Sequence, residues 1–154
     1  MTARTRQYGA LAFRRGADGR IEVALVTSRE RGRWIIPKGW PRPAEAHLTV
    51  AREALEEAGL VGTVSSESLG IYRYDKIRTD GAAVECEVDV HLLAVEQELE
   101  DWPERPHRQR RWVRPEALAD ELDEANLAEL LRSTDWVGAI QRMTTPEPSD
   151  AERA

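Results

Sequence analysis

The chain has 154 residues, 41% of them hydrophobic, with a single cysteine and a formal net charge of −6. That length supports one substantial core, so a single domain is expected over residues 1–142. The lone Cys86 excludes an internal disulfide, no apolar run suits a membrane span or a signal segment, and the negative balance argues against general nucleic-acid binding; a reducing cytoplasm is the expected location.

Taken in chain order, alternating β-rich runs at Gln7 to Arg15 and Ile21 to Ser28 flank Gly16-Ala17-Asp18-Gly19 and predict a hairpin. Trp34-Ile35-Ile36 predicts a short strand stopped by Pro37, and a loop with Pro41 and Pro43 leads to a helix. That helix carries Arg52-Glu53-Ala54-Leu55-Glu56-Glu57-Ala58 and ends at Gly59, which suits a left-handed cap. At roughly 100° per residue, Glu53, Glu56 and Glu57 share one side, while Leu48, Ala51, Leu55 and Ala58 share the other. The helix is therefore expected to be anchored by one face and acidic on the opposite one.

Two more strands are expected at Val61 to Ile77 and Ala83 to Val95, joined at Thr79-Asp80-Gly81, with Cys86 as a core or sheet residue. Arg111-Trp112-Val113 suggests a last short strand, and Pro115 opens the first of two or three closing helices. From Met143 onward the Thr, Pro, Glu, Ser and Asp content predicts a disordered tail over 143–154. This order of elements suggests an α/β/α sandwich around a mixed sheet.

Three carboxylates on one helix side repel one another by a few tenths of a kcal/mol per pair, about as much as opposite charges attract there. A divalent cation would remove that cost. Hard oxygen ligands suit Mg²⁺ or Mn²⁺, and Mg²⁺ takes only one or two carboxylates beside water and phosphate oxygens. Arg52, one turn before Glu56, is placed to pair with it and orient a ligand. A merely solvated acidic face is the alternative. Basic residues cluster elsewhere: Arg105, His107, Arg108, Arg110, Arg111 and Arg114 in one segment, and Arg4, Arg6, Arg14 and Arg15 near the start. Such clusters can hold polyphosphate through charge-assisted hydrogen bonds.

Gly39, five residues, Glu45, then Arg52-Glu53, two residues, Glu56-Glu57, one residue, Gly59 and Leu60 resembles the Nudix box of hydrolases that cleave nucleoside diphosphates linked to another moiety. The resemblance implies that Glu53, Glu56 and Glu57 hold divalent metal, that Arg52 is the structural arginine, and that Gly39 and Gly59 are the two box glycines. Six residues separate Glu45 from Arg52 where the family has seven. Counted back from Arg52 the first-glutamate position falls on Ala44; counted forward from Gly39 it falls on Glu45. Ala54 stands where the family prefers a larger aliphatic residue.

Beyond the box, GRWIIPKGWP and ELEDWPERPHRQRRWVRPEALADEL are similar to the diphosphoinositol polyphosphate and diadenosine polyphosphate hydrolase branch. The resemblance implies an α/β Nudix-like sandwich and attack of a metal-activated water on a phosphoanhydride, with Glu53, Glu57 and Arg52 in catalytic roles and Mg²⁺ or Mn²⁺ as cofactor. No nucleophile arrangement around His47, His91 or His107 competes with it. Glu96, Glu98, Glu100 and Asp101 are candidate general bases, and Glu45 is a lesser metal candidate. Arg6, Lys38, Gly39, Lys76, Arg78 and Arg110 are candidate contacts to a polyphosphorylated small molecule, with Arg33 and Arg42 beside the box. Tyr72 and Tyr74 share a strand face and could stack a base. The alternatives are a non-catalytic nucleotide sensor and an interaction domain; a monomer or homodimer is expected.

Overall fold

The computed structural model describes residues 5–41 and 45–144. Arg4, Arg42, Ala44 and the 145–154 portion of the expected tail lie outside them. The elements run β1 (Thr5–Arg15), β2 (Ile21–Thr27), β3 (Trp34–Ile35), β4 (Lys38–Gly39), α1 (Ala46–Ala58), β5 (Leu60–Ile77), β6 (Ala83–Glu98), a 3-10 turn (Arg105–His107), β7 (Arg110–Val113), α2 (Pro115–Glu121), α3 (Ala125–Ser133) and α4 (Trp136–Thr144). Met143 and Thr144 thus belong to a helix, although composition alone put them in the tail.

One mixed sheet runs in the order β3-β2-β1-β6-β5, with β4 on β1 and β7 on β2. Among the described residues only β1 and β6 pair in parallel, from Thr5 opposite Cys86 to Phe13 opposite Ala94. The hairpin turns are as the sequence suggests: Gly19 and Gly81 take φ of 79° and 85°, which a residue with a Cβ rarely adopts. Strand β4, of two residues, lies within the stretch for which the sequence predicts a loop.

Strand alternation sorts the core into two layers. On one face Ala10, Ala12, Ala24, Val26 and Leu93 meet Val50, Ala54 and Ala58 of α1. On the other, Leu11, Phe13, Val23, Leu25, Val90 and Leu92 meet Leu118, Leu127, Leu131, Trp136 and Ile140 of the closing helices. This is the α/β/α arrangement, with Cys86 fully buried in β6. The small residues beneath α1 let the helix sit close to the sheet.

The buried stripe of α1 is not the expected one. Leu48 is 61% exposed, while Val50, Ala54 and Ala58, spaced by four, are fully buried and carry Glu57 inward with them. Large side chains at Leu48 and Leu55 outweighed the alanines in the helical pattern. In the structure the close approach of helix and sheet admits alanine and excludes leucine.

Beyond Phe13, β1 and β2 diverge: their register covers only Phe13 to Arg15 against Ile21 to Val23. The segment containing β3 and β4 crosses the gap, pairing Trp34 and Ile35 with β2 and then Lys38 and Gly39 with β1. The backbone of Lys38 and Gly39 is thereby delivered to the carboxylates of α1.

Candidate active site

The C-terminus of α1 is held by partners from distant sequence. Its last carbonyls lack intrahelical donors, and each finds one. Leu55 O accepts from Gly59 N at 3.0 Å, Glu56 O from Glu104 N at 3.0 Å, Glu57 O from Trp102 Nε1 at 3.0 Å and Ala58 O from Arg110 Nη1 at 2.7 Å. Gly59 takes φ 67°, and a Cβ there would come within 2.7 Å of the Trp102 ring. The loop between β6 and β7 thus fixes the helical turn that carries the glutamates.

Glu57 lies in this turn, 6% exposed. Its Oε1 accepts Lys38 N–H at 2.9 Å, and its Oε2 accepts Arg108 Nη2 at 2.8 Å. Burial pushes its carboxyl up to about 8, against the downward pull of Arg108 and the Lys38 N–H. Glu53 is also raised, chiefly by burial, with the charges of Glu56 and Glu104 adding to it and Arg52 opposing. A Cβ at position 39 would land on the Glu53 carboxylate, so Gly39 is required by close approach of backbone to side chain. Arg52 donates to Trp40 O at 2.8 Å and to Glu53 Oε1 at 3.3 Å rather than to Glu56.

Beside Glu57 opens a cleft of about 400 Å³, and Lys38, Tyr74, Lys76, Arg108 and Glu124 are among the residues lining it. Arg29, Arg31 and Arg33 from the β2–β3 loop add positive charge to its wall. Lys38 Nζ is 3.2 Å from Glu124 Oε1 and 4.6 Å from the centre of the Tyr74 ring. Tyr72, almost fully buried, donates its hydroxyl to the same Glu124 oxygen at 3.3 Å. Of the two tyrosines, only Tyr74 lines the cleft. Its hydroxyl donates to Gln7 at 2.6 Å.

The structure therefore brings Glu57, Lys38, Lys76 and Arg33 to one opening, while Glu53, on the same helix as Glu56 and Glu57, lies against Gly39 outside the cleft lining. Other candidates do not converge there. Alternation on β1 sends Gln7 to the cleft and Arg6 to the opposite face, where Glu87 and Asp89 neutralise it at 2.9 and 3.8 Å. Arg78 sits in the β5–β6 turn beside Asp80, 60% exposed. Arg110 is occupied with the α1 carbonyls and stacks over Trp102. Glu45 is the N-cap of α1, exposed, with no side-chain capping bond. Glu100 is exposed in the turn after β6, outside the cleft lining. Glu96 and Glu98 hold Thr63 and Arg14, and Asp101 accepts the N–H of Trp102.

Three residues not proposed individually complete the site: Glu104, Arg108 and Glu124. Arg108 belonged to the recognised basic cluster, but nothing in that run separated it from its neighbours. Its Nε and Nη2 both approach Glu104 Oε1 at 3.0 Å while Nη1 donates to Thr27 O at 3.0 Å.

Carboxylate oxygens from one helix turn, against a glycine backbone, are the donor chemistry that Mg²⁺ or Mn²⁺ takes. The residues fit such an ion if it is held by one or two of Glu53, Glu56 and Glu57 and completed by water and phosphate. Among the described residues no three His, Cys, Asp or Glu side chains already stand close enough to grip it. Glu57 is instead turned to Lys38 and Arg108.

Comparison with known proteins follows the same outline. A family model for the NUDIX domain matches residues 5–134. The chain is 39% identical over 101 residues to Nudix hydrolase 12, mitochondrial, of Arabidopsis thaliana, covering 61% of this chain and 48% of that protein. The chain spans about half the length of the plant relatives that it matches. The fold matches the MutT protein from Methanosarcina mazei Go1 with a TM-score of 0.68 and 19% identity, over 89% of this chain and 96% of that one. It matches a C. elegans Ap4A hydrolase binary complex with a TM-score of 0.60 and 22% identity, over 83% and 93%.

Proposed function

The chain belongs to the NUDIX family, and from that premise we propose that it is a Mg²⁺-dependent pyrophosphohydrolase. Its substrate is a polyphosphorylated nucleotide of the diadenosine polyphosphate kind or an inositol pyrophosphate. The observation that carries this reading is Glu57: a buried glutamate of the box helix, at the wall of a cleft lined by Arg29, Arg31, Arg33, Lys38, Lys76 and Arg108. Burying a carboxylate beside two other acidic groups is costly unless a cation is to be held there.

A bound Mg²⁺ supplies Lewis-acid screening of the anhydride oxygens and a water activated for attack on phosphorus. One or two of Glu53, Glu56 and Glu57 would hold the ion. Lys38 serves the site twice, fixing Glu57 through its N–H and placing its ammonium in the cleft, where it can meet a phosphate oxygen. Gly39 keeps the β4 backbone against Glu53, and Arg52 ties that glutamate to Trp40. Trp102, Glu104 and Arg110 hold the helix turn still, which keeps the carboxylates aimed.

The test is a screen with Mg²⁺ across diadenosine polyphosphates, nucleoside triphosphates, ADP-ribose and inositol pyrophosphates. Wild type is expected to turn over at least one class. Glu57→Gln should lower kcat by about 10³-fold, the scale on which charged groups at a reacting centre act, with its circular dichroism unchanged. The ion pair already neutralising Glu57 favours one rival reading, a nucleotide-binding sensor without turnover. Binding of the same compounds with no product from wild type would select it.

A further inference from the structure

Arg108 already fills the space between two carboxylates of the site. Its guanidinium bridges Glu57 of α1 and Glu104 of the β6–β7 loop, at 2.8 and 3.0 Å, and its side chain is only 7% exposed. Both oxygens of Glu57 are consumed, one by Arg108 and one by the Lys38 N–H. A guanidinium does not lose its proton in a protein, so Arg108 brings a fixed positive charge to the space between those carboxylates. The same side chain lines the cleft. It is borne on an extended residue after the Arg105–His107 turn, whose own packing is exposed.

We propose that Arg108 is a built-in counter-cation that fills the carboxylate cluster until a divalent ion displaces it, whereupon its freed guanidinium binds the phosphate chain in the adjoining cleft. This rests on the metal-dependent reading above. The exchange keeps charge balanced at each stage: the carboxylates pass from one cation to another, and the released guanidinium meets the anion that accompanies the metal. Guanidinium and phosphate form paired hydrogen bonds, which suits Arg108 to the second partner as well as the first. Because metal binding frees the group that binds phosphate, each ligand then favours the other, and by the same factor.

The experiment uses the full chain. Mn²⁺ affinity is measured by calorimetry for wild type, Arg108→Gln, Glu57→Gln and the double variant. In parallel the Arg108 Nε–H signal of ¹⁵N-arginine-labelled wild type is followed by NMR during Mg²⁺ addition, before and after orthophosphate. Arg108→Gln is expected to bind Mn²⁺ about tenfold more tightly, within the range of ordinary coupling energies, and the gain should vanish in the double variant. The Nε–H signal should shift with Mg²⁺ and shift again with orthophosphate. Equal Mn²⁺ affinity in wild type and Arg108→Gln, or a gain that persists without Glu57, overturns the proposal alone. So does an Nε–H signal that Mg²⁺ leaves unmoved, a readout that needs no variant to fold. No Mn²⁺ binding by any variant overturns the metal-dependent reading together with it.

Discussion

The two ends of α1 are built in opposite ways. At the C-terminal end the carbonyls of Leu55, Glu56, Glu57 and Ala58 are each met by a donor, three of them from residues 102–110. At the N-terminal end Glu45 caps with its backbone alone, Leu48 is exposed, and no acidic residue lies in the first turn. The end that bears Glu53, Glu56 and Glu57 is therefore the end where the chain spends distant residues on rigidity. Positional accuracy is concentrated where a metal and an anhydride would demand it, and the far end is tied more lightly, by His47 to Ser65 O at 2.9 Å and by the burial of Thr49 and Val50.

Removing the clamp should have the largest effect on stability. Trp102→Leu loses the bond to Glu57 O, the packing on Gly59 and the stacking with Arg110. We expect a loss of about 2 kcal/mol in chemical denaturation, with weaker Mn²⁺ binding because the glutamates lose their aim. A loss below a few tenths of a kcal/mol would erase the contrast between the two ends.

A smaller effect comes from protons. Glu57 is pushed up to about 8 when folded, against an unperturbed value of 4.5, so the metal-free native state binds more protons than the unfolded chain between those limits. Stability of the metal-free protein should therefore fall as pH rises from about 5 to 8, and Glu57→Gln should flatten that slope. A wild-type slope identical to that of the variant would show that Arg108 fully offsets the burial. The smallest effect belongs to the open end. Glu45→Ser introduces a side-chain cap and should stabilise by about 0.5–1 kcal/mol, with no change in Mn²⁺ affinity, as thermal unfolding with and without the ion can check.

The sequence made the clamped end only half legible. The spacing of Glu53, Glu56 and Glu57 and the glycine stop at Gly59 are local properties of a helix, and both hairpins were readable from alternation and turn residues. What holds that helix was not local. Trp102 and Arg110 meet α1 across some fifty residues of intervening chain, and Arg110 looked like a phosphate ligand because its cationic character was visible while its carbonyl partner was not. Arg108 and Glu124 share that limitation. The helical wheel puts Glu57 opposite the anchored face because large apolar residues dominate it. The actual contact with the sheet is made through Val50, Ala54 and Ala58. Strand β4 escaped detection since two residues carry no periodicity, although they bring Lys38 and Gly39 to the site.

The parallel seam between β1 and β6 has a consequence for how the molecule comes into being. Along one edge of β1, residues 5–13 pair with residues 86–94, so the strand emerges from synthesis long before that central partner exists. Closing so wide a loop delays folding relative to a chain of local hairpins. Until that seam zips, one edge of β1 stays bare and able to recruit a foreign strand. Nascent chains stalled before residue 86 should therefore be the species most dependent on chaperones.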